Sequence, residues 1–299
     1  MSFSLFALIS DDAGLSGELP PETGHLLKLV NLIIKNNEAL RGTIPVSLGH
    51  LTEMKQLGIT FTSMQGSIPR ELFRASFLRY LNLQNNQLEG TIPQDIGLAT
   101  SLEKIILSNN NLGGNVPWES LPFEFLTLLA LGDNGFTGSL ERSIENFEYL
   151  HFLYLENNQF AGPIPAEIGN LANLRSLNLD HNMFNSTIPR QIRRLQFLEY
   201  LSMQYNHLTG EIPREIQYLT KLQTLALGDN RLTGDLPDFY SLTQLKHLYL
   251  FGNNLTGVVP AYIYDLQSLG RSCYCVRIFG LQRLTSLTPI IFDSQKYYS

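Results

Sequence analysis

The feature that most constrains this chain is a proline that returns every 24 residues. It occupies Pro20, Pro45, Pro69, Pro93, Pro117, Pro165, Pro189, Pro213, Pro237 and Pro260, with one step of 25 and one of 23; Glu141 stands where another belongs. A period of that size marks a chain of stacked copies of one unit, none of which can bury its own apolar face alone. Superimposed, the copies read L-x-x-L-x-L-x-x-N-x-L-x-G-x-I-P, with apolar positions three, six and nine residues past the proline. The cleanest runs Leu78, Leu81, Leu83, Asn86, Leu88, Gly90, Ile92, Pro93, then Ile96, Ala99 and Leu102. Eleven copies fit between about Leu5 and Leu269.

Each part of the frame has a physical reading. The L-x-L stretch alternates with period two, so it is a short strand with inward leucines. Successive copies run the same way and predict one parallel sheet whose outward residues line a concave face. An asparagine ladder, Asn37, Asn86, Asn110, Asn134, Asn158, Asn182, Asn206, Asn230 and Asn253, supplies buried amides to backbone groups left open where the chain turns off the strand. The L-x-G-x-I-P piece is extended, with glycine permitting a tight backbone and proline presetting φ. The three-residue spacing that follows suits a short 3₁₀ or helical turn on the convex side. The expected fold is an α/β solenoid of about eleven 24-residue repeats over residues 1–270, with an irregular tail over 271–299.

This frame is the leucine-rich repeat, and its glycine-proline version resembles the plant-type ectodomains of receptor-like kinases and receptor-like proteins. The resemblance implies a right-handed horseshoe or superhelix, a peptide or protein ligand on its inner and lateral faces, and a co-receptor. Inhibitors of cell-wall-degrading enzymes carry the same motif in similar number. Some positions depart from the pattern. Leu5, Leu8, Leu15 and Leu19 already sit in frame, leaving no room for a cysteine-bearing cap, and Ser10 and Ala13 replace the Leu and Asn of the first copy. The second copy carries an extra residue in Asn37-Glu38-Ala39-Leu40, the third has Thr62 in the ladder and Met64 for leucine, and Ser186 replaces the glycine of the eighth. After Leu269 the frame dissolves into a tail with Cys273-Tyr274-Cys275. Uncapped solenoid ends expose leucines, so a longer parent protein is expected.

Composition narrows the function. The chain holds 54 leucines and 23 asparagines in 299 residues, with 43% hydrophobic and 16% charged residues, which excludes intrinsic disorder. A net charge of −6 argues against a partner held through nucleic-acid phosphates, and no apolar run is long enough for a membrane segment. Two cysteines cannot make a four-thiolate metal site. The P-loop, nucleophile-elbow, zincin and kinase motifs do not occur. The chain therefore reads as a binding module without catalytic residues, metal or cofactor. Met1 to Ser10 reads as the first repeat rather than a secretory signal. The sequons Asn185-Ser186-Thr187 and Asn254-Leu255-Thr256 permit N-glycosylation, and an extracellular or cell-surface location is expected, with the cytoplasm as the alternative.

The frame leaves the outward strand positions free to vary, and copies seven to nine concentrate aromatics and acids there: Phe152, Tyr154, Glu156, Asp180, His181, Tyr200 and Tyr205. Aromatic anchors beside a few oriented polar groups are the composition of binding hot spots, and the acids favour a basic partner. Glu167, Arg190, Arg193, Arg194, Arg214 and Glu215 fall on the convex side as a solvated charged face. The leading expectation is receptor-like recognition of a peptide or protein; the alternatives are a secreted inhibitor of a wall-degrading enzyme and an intracellular scaffold.

Overall fold

The computed structural model describes residues 5–257. One parallel sheet runs through it from Ala7–Asp11 by Asn31–Thr43, Gln56–Gly66, Tyr80–Asn82, Lys104–Ile106, Leu128–Ala130, Phe152–Tyr154, Ser176–Asn178, Tyr200–Ser202 and Thr224–Ala226 to His247–Tyr249. These strands define rungs one to eleven. Register follows the repeat: Leu57 pairs with Leu81, Leu81 with Ile105, Leu129 with Leu153, Leu177 with Leu201. The frame leucines that these strands send inward are fully buried. Each is worth about 1.5–3 kcal/mol relative to an exposed side chain, so the cohesion of the solenoid lies between rungs.

The sequence reading of one sheet is incomplete. The L-x-G segments pair with one another as well, forming a second column of parallel strands beside the concave sheet. Gly17–Glu18, Gln87–Gly90, Asn111–Asn115 and Gly135–Thr137 belong to it in the first half of the molecule. Ala161–Pro163, Met183–Ser186, His207–Glu211, Arg231–Asp235 and Asn254–Thr256 continue it as a five-stranded sheet. Gln159 and Ala161 donate to the Phe136 and Gly138 carbonyls at 2.8 Å across the junction. In rungs two and three the strand runs unbroken through both columns, and the extra residue after Asn37 is absorbed as a register shift between Asn37 and Arg41. Beneath this second column Phe136, Phe160 and Phe184 stack, with centroids 6.4 and 6.2 Å apart.

The asparagine ladder does the work expected of it. Asn158 donates to the carbonyls of Leu131, Leu155 and Glu156 at 3.0, 3.2 and 3.1 Å, and its Oδ1 accepts the Phe136 amide at 2.9 Å. Asn182, Asn206 and Asn230 repeat the arrangement one rung at a time. At rung three the Thr62 hydroxyl donates to Asn86 Oδ1 instead. The residue before each ladder position turns through the left-handed region, at φ 47–57° from Asp12 to Asp229. Most of these are Asn or Asp, the non-glycine residues that tolerate it best.

The convex layer of this α/β solenoid is made of 3₁₀ turns. Gln94–Leu98, Arg142–Asn146 and Ala166–Asn170 are typical, each five residues long and each following the frame proline or its Glu141 substitute. Rung five breaks the pattern with a three-residue turn, Trp118–Ser120. Ser120 occupies its first apolar position, and the interior is filled by Leu121 and by Trp118, whose ring lies 6.1 Å from Phe160 and whose indole N–H donates to the Ser139 carbonyl at 3.0 Å. Among the described residues no helix is long and apolar enough to cross a membrane. The frame past Gly257, the Cys273-Tyr274-Cys275 pair and the proposed tail lie outside them.

Candidate functional site

On the concave face the expected residues resolve into two groups. In the first, Tyr154, Glu156, Asp180 and Tyr200 face a common region on rungs seven to nine. Asp180 leaves its own strand and is held by the next rung: Ser202 Oγ donates to both carboxylate oxygens, at 2.6 and 2.7 Å, and the Gln204 amide donates to Oδ1 at 2.6 Å. Ser202 is fully buried, so this support is rigid. Burial nevertheless raises the Asp180 carboxyl above its ordinary value, against the pull of these hydrogen bonds.

Glu156 is the more perturbed acid. Its carboxyl lies over Gly132 of the preceding rung, where a Cβ would stand 2.5 Å from Oε1, so a larger residue there would displace the carboxyl. Oε2 is buried without a hydrogen-bond partner. Burial pushes the group up to about 7, with the nearby Asp133 and Asp180 charges adding to it. Tyr200 is raised for the same reason, burial first and the two carboxylates after it. Phe152 packs 6.2 Å from Tyr154 and closes the aromatic frame on one side.

The second group is His181 and Tyr205, one column further along at the left-handed turn. Their rings stack at 4.1 Å, 13° from parallel, and Phe251 meets Tyr205 edge-on at 6.4 Å after folding over Gly228. His247 and Tyr249 stack at 6.2 Å on rung eleven. The aromatic surface thus extends past the rungs that the sequence reading singled out.

The sequence reading named the acids by column but not what surrounds them. Ser202 and Gln204 hold Asp180, and Gly132 lies against Glu156; their columns do not mark them, since Ser202 is followed by Ala226 and Gly132 is preceded by Ser108. The sequon residues Asn185 and Asn254 are exposed on the second strand column. Among the described residues no group of three or more His, Cys, Asp or Glu could hold a metal ion. What the concave arrangement can do is bind: two desolvated carboxyls between phenols favour a cationic group.

The family model described as Leucine Rich Repeat matches residues 77–98, 149–171, 173–195 and 197–219. The model described as Leucine Rich repeats (2 copies) matches 220–261. Among solved structures, the chain is similar to the plant peptide hormone receptor RGFR1 in complex with RGF2, at 32% identity and a TM-score of 0.80 over 89% of this chain and 47% of that one. It is similar to a TDR receptor at 29% identity and TM-score 0.84, over 88% and 45%. A plant ice-binding protein matches at 26% identity and TM-score 0.72, over 84% and 81%. The chain thus spans about half the length of the two receptor structures. No curated protein matches it by sequence. Matched repeats, the asparagine ladder and a solenoid shared with receptor ectodomains make this chain a plant-type leucine-rich-repeat protein.

Proposed function

We propose that the chain is the recognition part of an extracellular, receptor-like protein that binds a peptide or protein through the concave face of rungs seven to nine, with Glu156 and Asp180 receiving a basic group. One observation carries this reading: the two carboxyls sit partly desolvated inside an aromatic frame, and neither has a Lys, Arg or His within 4.0 Å among the described residues. A cationic ligand group would supply the missing charge. The rigid sheet holds the anchors in place before binding, which lowers the ordering cost. The likeness to a receptor solved with its peptide hormone supports a ligand of that class. No chemistry is required of the chain, and we read it as non-catalytic.

A second reading, a stand-alone binding solenoid such as a secreted inhibitor, draws support from the plant ice-binding protein, of whose length the chain covers 81%. It uses the same face.

The test is fluorescence anisotropy with synthetic peptides bearing one Lys or Arg, against the same peptides with norleucine or citrulline in its place. Binding that needs the cation, and that falls about tenfold or more in Glu156→Gln/Asp180→Asn and in Tyr154→Ala/Tyr200→Ala, supports the site. Cation-independent binding, or binding indifferent to both double variants, removes it.

A further inference from the structure

The short turn of rung five leaves a trough on the convex side, away from the concave site. Its neighbours carry five-residue 3₁₀ turns, Gln94–Leu98 and Arg142–Asn146, against three residues in Trp118–Ser120. The chain sinks between them. One hollow, of about 740 Å³, lies on the rung-seven side and another, of about 630 Å³, on the rung-four side; Phe123 and Glu124 line both.

The surface of this trough combines two properties. First, it is apolar where the fold does not require it: Phe123, Leu98 and Tyr149 are 37%, 56% and 54% exposed. The position of Tyr149, just before the first frame leucine, is polar in Lys28, Glu53, Ser101, Asn173, Lys221 and Gln244 and aromatic in Phe77, Phe125 and Phe197, so the frame leaves it free to vary. Second, its charge is uncompensated. Asp95, Glu119, Glu124, Glu145 and Glu148 line the two hollows, and no lysine or arginine does. None of these five acids has a Lys or Arg within 4.0 Å among the described residues, and Glu145 accepts only from the Asn170 amide, at 2.9 Å.

We propose that this trough is a second docking site, taking a basic amphipathic segment of another protein, its apolar side on Phe123, Leu98 and Tyr149 and its Lys or Arg groups on the flanking carboxylates. Apolar anchors ringed by charge of one sign select a partner of the opposite sign. Crossing rungs four to seven spans about 14 Å of solenoid, room for two turns of helix or a short extended stretch. Within the span Arg142 is turned to Glu167, at 3.7 Å, and does not line either hollow; the rungs on either side carry Arg70, Arg74, Arg190, Arg193 and Arg194, which repel a basic segment and confine it.

The full chain is titrated with a fluorescein-labelled peptide of repeated Leu-Lys-Phe-Arg, beside one with glutamate at the basic positions and one with serine at the apolar positions. The first peptide binds and both controls lose about tenfold or more. Glu124→Lys/Glu148→Lys, at exposed positions, loses as much with an unchanged thermal melt; Phe123→Ser, whose ring also packs edge-on 6.4 Å from Phe147, loses as much with a melt lowered by no more than a few degrees, while Glu156→Gln/Asp180→Asn keeps the binding. Three results overturn the proposal. Equal binding of all three peptides makes the surface merely sticky. Loss in the concave variant alone places the basic segment in the concave site. Binding that emerges only after residues 271–299 are removed, or that accompanies self-association, gives the trough to the chain itself.

Discussion

His181 lies flat on Tyr205, ring centroids 4.1 Å apart, at the turn where most rungs carry Asn or Asp. Both residues hold a left-handed backbone, φ 51° and 52°, which costs an aromatic residue about 1 kcal/mol more than it costs asparagine. At the equivalent turns, Asn109 bonds to Asn85 and Asn157 to Asp133 through their side chains. His181→Asn/Tyr205→Asn should therefore keep the melting temperature within a few degrees, because the lost stacking of about 0.5–1.5 kcal/mol offsets the relieved backbone. If the pair is there for a ligand, binding falls while calorimetry is unmoved. A collapse in stability would show instead that the stack is structural.

The ladder is expected to be far less tolerant. Asn158→Ala strands the Phe136 amide and leaves the Leu131, Leu155 and Glu156 carbonyls short of a donor. Each buried orphan costs about 1–3 kcal/mol, so a loss of about 3 kcal/mol or more in urea denaturation is the expected outcome. The same change at the exposed Asn157, which puts an alanine at φ 52° and gives up the bond to Asp133, should cost about 1–2 kcal/mol, less than the ladder position.

Glu156 gives the protein an unusual pH dependence. Its carboxyl rises from 4.5 to about 7 on folding, so between those values the folded state binds more protons than the unfolded one. Stability is then full below about pH 4.5 as far as this group is concerned, declines as pH rises through 7, and is flat above; the ceiling on the effect is about 3 kcal/mol. Glu156→Gln should remove that slope and raise stability at pH 8. Parallel pH–stability curves for the two proteins would contradict the assignment. A bound cation on the carboxyl would lower its pKa, so ligand affinity should rise with pH over the same interval.

Ser186 stands at φ 70° where all ten other described frames place glycine, at φ 71–85°. Ser186→Gly should stabilise the solenoid by about 0.5–1 kcal/mol, the left-handed penalty of a side chain less the entropy of glycine. The change leaves the Asn185 sequon intact, since its middle position tolerates any residue but proline.

Glycan occupancy tests the compartment. Asn185 and Asn254 are exposed on the second strand column, clear of the concave aromatics. Secreted from a plant cell line, the protein should carry glycans there, lost one at a time in Thr187→Ala and Thr256→Ala, with concave binding retained. Unmodified peptides from both sites in the native protein would favour the intracellular scaffold.

The repeat was legible because its physics is local and repeated. The period, the inward leucines and the ladder asparagines each answer a requirement that recurs in every rung, so a single sequence states it many times over. The second strand column was half-legible: L-x-G reads as extended, but its partner is the same segment a full repeat away, and pairing depends on how much the rungs twist. The concave candidates Tyr154, Glu156, Asp180 and Tyr200 could be named by column. Their states could not, because the shift of Glu156 comes from the burial that packing imposes on it and that of Asp180 is opposed by a hydroxyl at Ser202. The trough at rung five shows the same division. Sequence placed Ser120 and Pro122 in a frame that expects otherwise, whereas only the packed structure decided that Trp118 would fill the interior and leave Phe123 outside. Periodic burial is written along the chain; the shape and charge of a surface depend on which neighbours stacking brings together, and stacking is a property of the tertiary structure.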